Sequence, residues 1–506
     1  MARKKKVTKK TVNKVATKKK TVKKTFKKVA TKKSVPKKVT KKTAKTISNN
    51  VKKPTSKNVV ELSGDNIKQS KSMSGQLALQ IVRGMRDILP GDQAYWQQIR
   101  KVFEKRSMEY GFSRIDTPII ELESLFTKAI GKDTDIINSE LYAFSAKSGD
   151  KVALRPEITA SIARAYIQHG MTILPKPIKL FSMGPVYRYD KPGEGRYREF
   201  HQAEFNIFGE GDAILDAQVM QIAHRVLKSL GIKNIQFRVN SIGTAESRKE
   251  YLKLLTAYFR SKKSKLPLKY RDMINTNPMR IFDARDDKCM QVCAGAPQAI
   301  DHLDKESREH FKNLLEYLDE LDLSYIIDSH LVRGLDYYTR TVFEISVADE
   351  HGTRHSLGGG GRFDGLIELF GGEPTPAIGF AFGIDRLIVE MKRVKAKKYQ
   401  APQPRVFLAQ LGDLAKKKSL QLFADIEQSG ILVAESFGRG ALKAQLRYAN
   451  KLGVDLTLII GQQEALDETV IIKNMITGTQ ETIPRNKVVT FVKKSLKETA
   501  KLVKRK

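Results

Sequence analysis

Acidic residues are missing from the first 60 positions of this chain, and cysteine and tryptophan are almost missing from all 506. No apolar run approaches the roughly 18 residues of a membrane span, which excludes a transmembrane helix. Two cysteines, Cys289 and Cys293, are too few for a disulfide framework. Their spacing supplies half a metal site at most, because His302 is the only imidazole nearby. Two small buried residues one helical turn apart is the expected reading. The glycine cluster Gly358–Gly361 completes no G-x-G-x-x-G in any register, and no G-x-x-x-x-G-K-[ST] occurs. The common nucleotide-binding loops are thereby excluded, and the cluster reads as tight turns.

The acid-free segment 1–60 holds 24 Lys or Arg, so 24 of the net +37 sit there and the other 446 residues carry +13. With few large apolar side chains it cannot offset the entropy of ordering, and residues 1–75 are expected to be a disordered tail. NKVATKK at 13–19 returns as KKVATKK at 27–33. The tail lacks the continuous apolar core of a secretory signal, and its single Arg3 is unlike the Arg-rich presequences of organelles. Sequence-independent attraction to nucleic acid phosphates is the functional expectation, against a solvated tail with no dedicated partner.

A chain of this length exceeds one core and predicts two to four domains. Folded sequence is expected from near Gln76. After the irregular Val82–Pro90, apolar Trp96, Ile99, Phe103 and Met108 predict a helix over 93–110, closed by Gly111. Phe112–Ile120 reads as a strand interrupted by Pro118. ALRPEITASIARA at 153–165 reads as a strand or loop entering a helix, with Glu157 and Thr159 at the turn. A carboxylate there receives an ammonium group or serves only as a helix N-terminal acid.

Residues 180–208 read as two strands joined by a long basic loop carrying Lys191, Arg196 and Arg198, with Arg188 at the end of the first strand. Gln202, Glu204 and Asn206 alternate with Ala203, Phe205 and Ile207, which puts three polar side chains on one face. Such a face inside a hairpin costs stability unless something occupies it. At 331–345, LVRGLDYYTRTVFEI sets Arg333 beside a glycine and two tyrosines, Tyr337 and Tyr338, on opposite faces. Finally, Pro376–Leu387 reads as a strand feeding a helix, where Gly379 and Gly383 leave room for a flat base and Arg386 sits on the first helical turn.

Long helix, strand and proline; basic hairpin; and G-F-A-F-G-I-D-R-L resemble, in order, the three signature motifs of class II aminoacyl-tRNA synthetases. With RGLDYY added, residues 83 to about 500 are similar to histidyl-tRNA synthetases. That resemblance implies an α+β fold: an antiparallel-sheet catalytic core flanked by helices, active as a homodimer in the cytoplasm. It implies ATP-dependent ligation of L-histidine to histidine tRNA through a histidyl-adenylate, with Mg²⁺ beside the ATP. It aligns Glu157, Thr159, Gln202, Arg333, Tyr337 and Tyr338 with the amino acid pocket, and Arg188, Arg196 and Arg386 with the ATP-binding arginines. Arg188 and Arg333 are the implied catalytic residues and are expected to touch histidine as well. Two positions depart from the family pattern. Asn206 stands where an acid usually reads the imidazole, and Phe363 replaces a common tyrosine. Asn206 is expected to accept from the ring N–H, but it cannot pair with an imidazolium.

The expected catalytic domain spans 76–395 and contains a mostly helical, basic insertion at about 245–325, suited to gripping tRNA or simply solvated. A linker, 396–404, precedes a domain at 405–506. There Val406–Leu411, Ile431–Glu435, Leu456–Gly461 and Val488–Val492 read as strands alternating with helices near 413–429, 440–452 and 493–504. The resemblance makes this an anticodon-binding domain. Two other readings stay open: a non-catalytic regulatory paralogue in histidine biosynthesis, and a class II synthetase for another amino acid.

Overall fold

The structure is a computed structural model that describes residues 79–503, apart from 285, 350, 351 and 439. The expectations for the basic tail lie outside the described residues.

Sixteen strands follow in chain order among the described residues. They are β1 (Ser113–Arg114), β2 (Ile120–Leu122), β3 (Ala143–Ser145), β4 (Lys151–Leu154), β5 (Ile178–Tyr187), β6 (Glu199–Phe208), β7 (Ile235–Ser241) and β8 (Tyr325–Ile327). Then come β9 (Thr339–Ala348), β10 (Arg354–Arg362), β11 (Ala377–Gly383), β12 (Val406–Gln410), β13 (Val433–Glu435), β14 (Leu456–Ile460), β15 (Thr469–Asn474) and β16 (Gln480–Pro484). The main sheet runs β1-β5-β6-β11-β10-β9-β7-β8. Its inner pairs are antiparallel, and only its two edge pairs, β1·β5 and β7·β8, are parallel.

Strand periodicity divides the core across this sheet. Phe205 and Ile207 of β6, Phe343 and Ile345 of β9, and Phe380 and Phe382 of β11 pack with helices Gln93–Glu109, Ala213–Ser229 and Ile384–Arg393. Leu180, Phe208 and Val342 belong to a second cluster with helix Thr159–Gln168 and the insertion. The helix near 93–110 forms as its spacing predicts, but Met108 is exposed and Val102 takes the inward position. Residues 245–325 are mostly helical, from Ala245–Ser261 to Lys305–Glu320. Cys289 and Cys293 lie buried on helix Asp287–Cys293, where burial pushes the Cys293 thiol up to about 11, outside the reactive range.

Three element readings need correction. Phe112–Ile120 is not one strand: β1 joins the main sheet, whereas β2 belongs to a separate sheet, β2-β4-β3. The glycine cluster is not a set of turns but β10, paired on both sides. A Cβ on Gly360 would stand 2.0 Å from the Gly379 carbonyl oxygen, and one on Gly361 2.4 Å from that of Thr341. Glycine is required there by close backbone approach, not by turning. Val488–Val492 is not a strand but the start of helix Val488–Val503, with Val488 and Val492 buried at i and i+4. The C-terminal sheet, β13-β12-β14-β15-β16, gains its last two strands from an antiparallel hairpin instead.

Candidate active site

The polar face of β6, the turn before helix Thr159–Gln168 and the 333–338 segment enclose a cavity of about 420 Å³. Glu157, Thr159, Gln202, Tyr337 and Tyr338 line it, and so do Arg188, Arg196, Arg333 and Arg386. One expected site residue, Asn206, does not.

The arginines are held from different elements. Arg188, where β5 ends, donates from Nε to the Pro156 carbonyl at 2.9 Å, and its guanidinium lies 5.6 Å from the Phe200 ring. Arg333 lies against β10: a Cβ on Gly359 would come within 2.9 Å of its Nη1. Gly359 thus clears space for this guanidinium, which interacts with the Tyr338 hydroxyl. Arg386 donates to the Ser356 carbonyl at 3.2 Å. Burial lowers its proton affinity, and Arg196, Arg188 and Arg333 add to the effect. Cations that repel one another in a cleft cost free energy in the free protein, and a polyanion relieves that cost.

The loop bearing Arg196 turns tightly, with reciprocal backbone bonds between Gly193 and Arg196 and Gly195 at φ +65°. The Val82–Pro90 segment clasps its base. Arg198 donates from its backbone N to Gly84 O at 2.7 Å, and the Arg86 guanidinium lies 4.4 Å from the Tyr197 ring. Arg86 also pairs with Asp385 at 2.6 Å, and Asp385 accepts from the His201 backbone at 2.8 Å.

Carboxylates form the second part of the site. Glu157 accepts from the Ala160 backbone at 2.8 Å, so it does act as a helix N-terminal acid. Its other oxygen faces the Tyr337 hydroxyl at 3.5 Å. Burial raises its carboxyl above the usual range, against the pull of Ala160 and Arg188, and holds the Tyr337 phenol well above 10. Glu204 is also buried and faces the cavity; burial and the neighbouring Glu157 push it up to about 8. The Gln202 Oε1 atom is buried without a hydrogen-bond partner among the described residues.

Asn206 stands behind this surface. It donates from Nδ2 to Glu204 at 3.0 Å, and its Oδ1 fills the space a Cβ of Gly379 would need, 2.2 Å away. The expectation that it accepts from a ligand ring is therefore corrected: β6 pairs Asn206 directly with Gly379 of β11, which spends the vacancy on the side chain. Room for a flat base remains at Gly383, where a Cβ would meet nothing nearer than 3.7 Å. Phe363 lies at the cavity with its ring 5.8 Å from that of Tyr337.

Sequence reasoning assigned no role to Glu204, Glu140, Glu344 or Arg280, all of which line the cavity. Glu204 carried a signal, the polar alternation of β6. Arg280 carried none, because it reaches the cavity from the insertion and pairs with Asp135 at 3.1 Å.

Comparison with known proteins agrees with this geometry. Residues 84–387 match the family model for histidyl-tRNA synthetase, and residues 405–495 match that for an anticodon binding domain. A histidine–tRNA ligase of Dehalococcoides mccartyi strain 195 is 42% identical over 414 residues, 82% of this chain and 99% of its own length. The apo histidyl-tRNA synthetase of S. aureus superposes with a TM-score of 0.68 at 32% identity, covering 82% of this chain and 99% of that one. A structure from Bacillus halodurans C, titled as an ATP phosphoribosyltransferase regulatory subunit/histidyl-tRNA synthetase, gives 0.53 at 20% identity. It covers 76% of this chain and 98% of its own, and shares the fold. The chain has the class II catalytic fold followed by an anticodon-binding domain, and it belongs to the histidyl-tRNA synthetase family.

Proposed function

We propose that the protein activates L-histidine with ATP and esterifies it to histidine tRNA. One observation carries this reading: Arg188, Arg196, Arg333 and Arg386 converge with the buried carboxyls of Glu157 and Glu204 on a single cavity, giving one region for a triphosphate and another for an amino acid with two protonatable nitrogens.

In the first step a histidine carboxylate oxygen attacks the α-phosphorus of ATP in line, and pyrophosphate leaves. Positioning and charge neutralisation are what a protein supplies to such a displacement. Arg333 takes the α-phosphate as charge moves onto it, with Arg188 opposite. Arg386 takes the γ-phosphate, and Arg196 closes over the phosphates from its loop. Glu157 receives the α-ammonium with Thr159 and Tyr337 beside it, Gln202 offers its unpaired oxygen, and Tyr338 steadies Arg333. In the second step the terminal ribose hydroxyl of the tRNA attacks the adenylate carbonyl carbon and AMP departs, so no protein nucleophile is used.

Mg²⁺ accompanying ATP would supply charge neutralisation at the phosphates. Glu344 lines the cavity and is one carboxylate that would meet it; it is already paired with Arg238 at 3.2 Å and accepts from Ser356. A homodimer is part of this reading. Ile120, Leu122 and Phe144 stand exposed on the small sheet, an apolar surface suited to a second copy. The C-terminal domain takes the anticodon, and the reaction takes place in the cytoplasm. The Arg333 segment and C-terminal domain, which regulatory paralogues tend to lose, are both present.

ATP–pyrophosphate exchange with each of the twenty amino acids tests the reading. Exchange should depend on histidine alone; no exchange with any amino acid supports the regulatory paralogue, and exchange with a different one supports another synthetase. For residues 1–60 we propose added non-specific nucleic acid affinity. Deleting residues 1–70 should leave the exchange rate unchanged and flatten the salt dependence of RNA binding, at about 0.7 per lost phosphate contact on single strands. An unchanged slope would leave the tail without that role.

A further inference from the structure

Glu204 faces the cavity from the middle of β6 and is 1% exposed. Its two oxygens accept from neutral groups only: Asn206 Nδ2 at 3.0 Å and the Thr159 hydroxyl at 3.4 Å. A carboxylate offers about four acceptor positions, so part of its capacity is unused. The charged and titratable groups around it are Glu157 from the turn, Arg155 from the end of β4, and Tyr337 from the 333–338 segment. Across the sheet its partners are the uncharged Ser182 of β5 and Ala381 of β11. Arg155 pulls the Glu204 carboxyl down through charge, but the hydrogen bonds of Arg155 go to the Pro185 carbonyl and to the carbonyl and hydroxyl of Thr117. The carboxyl is therefore buried, supported on one side, and without a committed cation.

We propose that Glu204 reads the substrate imidazole in place of Asn206, sharing one proton with the ring, while Asn206 positions Glu204. The inference rests on histidine being the substrate. Two buried carboxylates then receive the two nitrogen-bearing groups of one ligand, Glu157 the ammonium and Glu204 the ring. Burial and the neighbouring Glu157 push the Glu204 carboxyl up to about 8, which favours a proton held there. A neutral imidazole accepts that proton in a hydrogen bond or takes it outright, and both descriptions are one bound species. An amino acid without a ring nitrogen leaves the buried carboxyl unpaired, and the site rejects it.

The test is pyrophosphate exchange by the full chain carrying Glu204→Gln, an isosteric change. The KM for histidine should rise about tenfold or more, with the KM for ATP within about twofold of wild type. Triazolylalanine, whose ring keeps its one N–H but is too weakly basic to become a cation at neutral pH, serves as the probe. Wild type should disfavour it strongly against histidine, and Glu204→Gln should shrink that preference. Glu204→Asp keeps the acid and should keep the preference whatever its KM. A Glu204→Gln protein with wild-type KM for histidine and unchanged preference overturns the assignment, as does a Glu204→Asp protein that loses the preference. Failure of wild type to use histidine would instead overturn the functional reading itself.

Discussion

Arg333→Ala should lower the rate of histidyl-adenylate formation by roughly 10²–10³ while leaving the Michaelis constants for histidine and ATP within several-fold. Removal of one donor aimed at developing charge costs about that much, because the donor is fixed before the reaction begins. Arg333 meets that description. Its guanidinium lies over Gly359, which clears the space for it, and interacts with the Tyr338 hydroxyl. It also faces Arg188 across the cavity, so loss of Arg333 relieves repulsion in the free protein as well as weakening the transition state. The ground state should therefore change little while the chemical step suffers. The assay is pyrophosphate exchange at saturating substrates; near wild-type exchange would reduce Arg333 to a packing residue of the β10 face.

Asp216→Ala should destabilise the fold by about 3 kcal/mol or more. Asp216, on helix Ala213–Ser229, and Arg362, at the end of β10, are both fully buried and joined by an ion pair. His310 of helix Lys305–Glu320 reaches the same carboxylate at 2.8 Å. Deleting one partner leaves an interior guanidinium with Asp364 at 3.2 Å as its remaining anion. The consequence extends toward the site, because Asp364 also accepts from the Ala377 backbone at 2.9 Å and from the Thr339 hydroxyl at 3.4 Å. Thr339 directly follows Tyr337 and Tyr338. Urea unfolding should show a lower midpoint with an unchanged slope. A midpoint equal to wild type would show that the buried pair contributes nothing net.

Most of the site was legible because it sits on short local patterns. Glu157 and Thr159 fall at a strand-to-helix turn, Arg386 falls on a first helical turn, and the alternation along β6 puts Gln202 and Glu204 on one face. Which member of that alternation meets the ligand was not legible. Asn206 is withdrawn by Gly379, which opposes it across the β6–β11 register, and a pairing between residues so far apart leaves no local trace. The glycine run misled for the same reason. Glycine normally weakens a strand, and only the carbonyls of Gly379 and Thr341 explain its use in β10. Val488–Val492 illustrates a different limit: β-branched residues at both ends favour a strand, yet the i, i+4 spacing also suits one helix face, and packing decided. The hairpin of β15 and β16 has only a short local signal, Asn474 and Gly478 at its turn, where the Asn474 side chain accepts from the Ile476 backbone at 2.9 Å.

The central claim is that histidine ends up on tRNA, and charging measures this directly. Purified full-length protein, ATP, Mg²⁺, labelled histidine and a histidine tRNA transcript should yield histidine esterified to the tRNA 3′ end, with pyrophosphate and AMP released. A second tRNA should accept none. A protein that leaves histidine tRNA uncharged under these conditions, or that charges it with a different amino acid, would contradict the account.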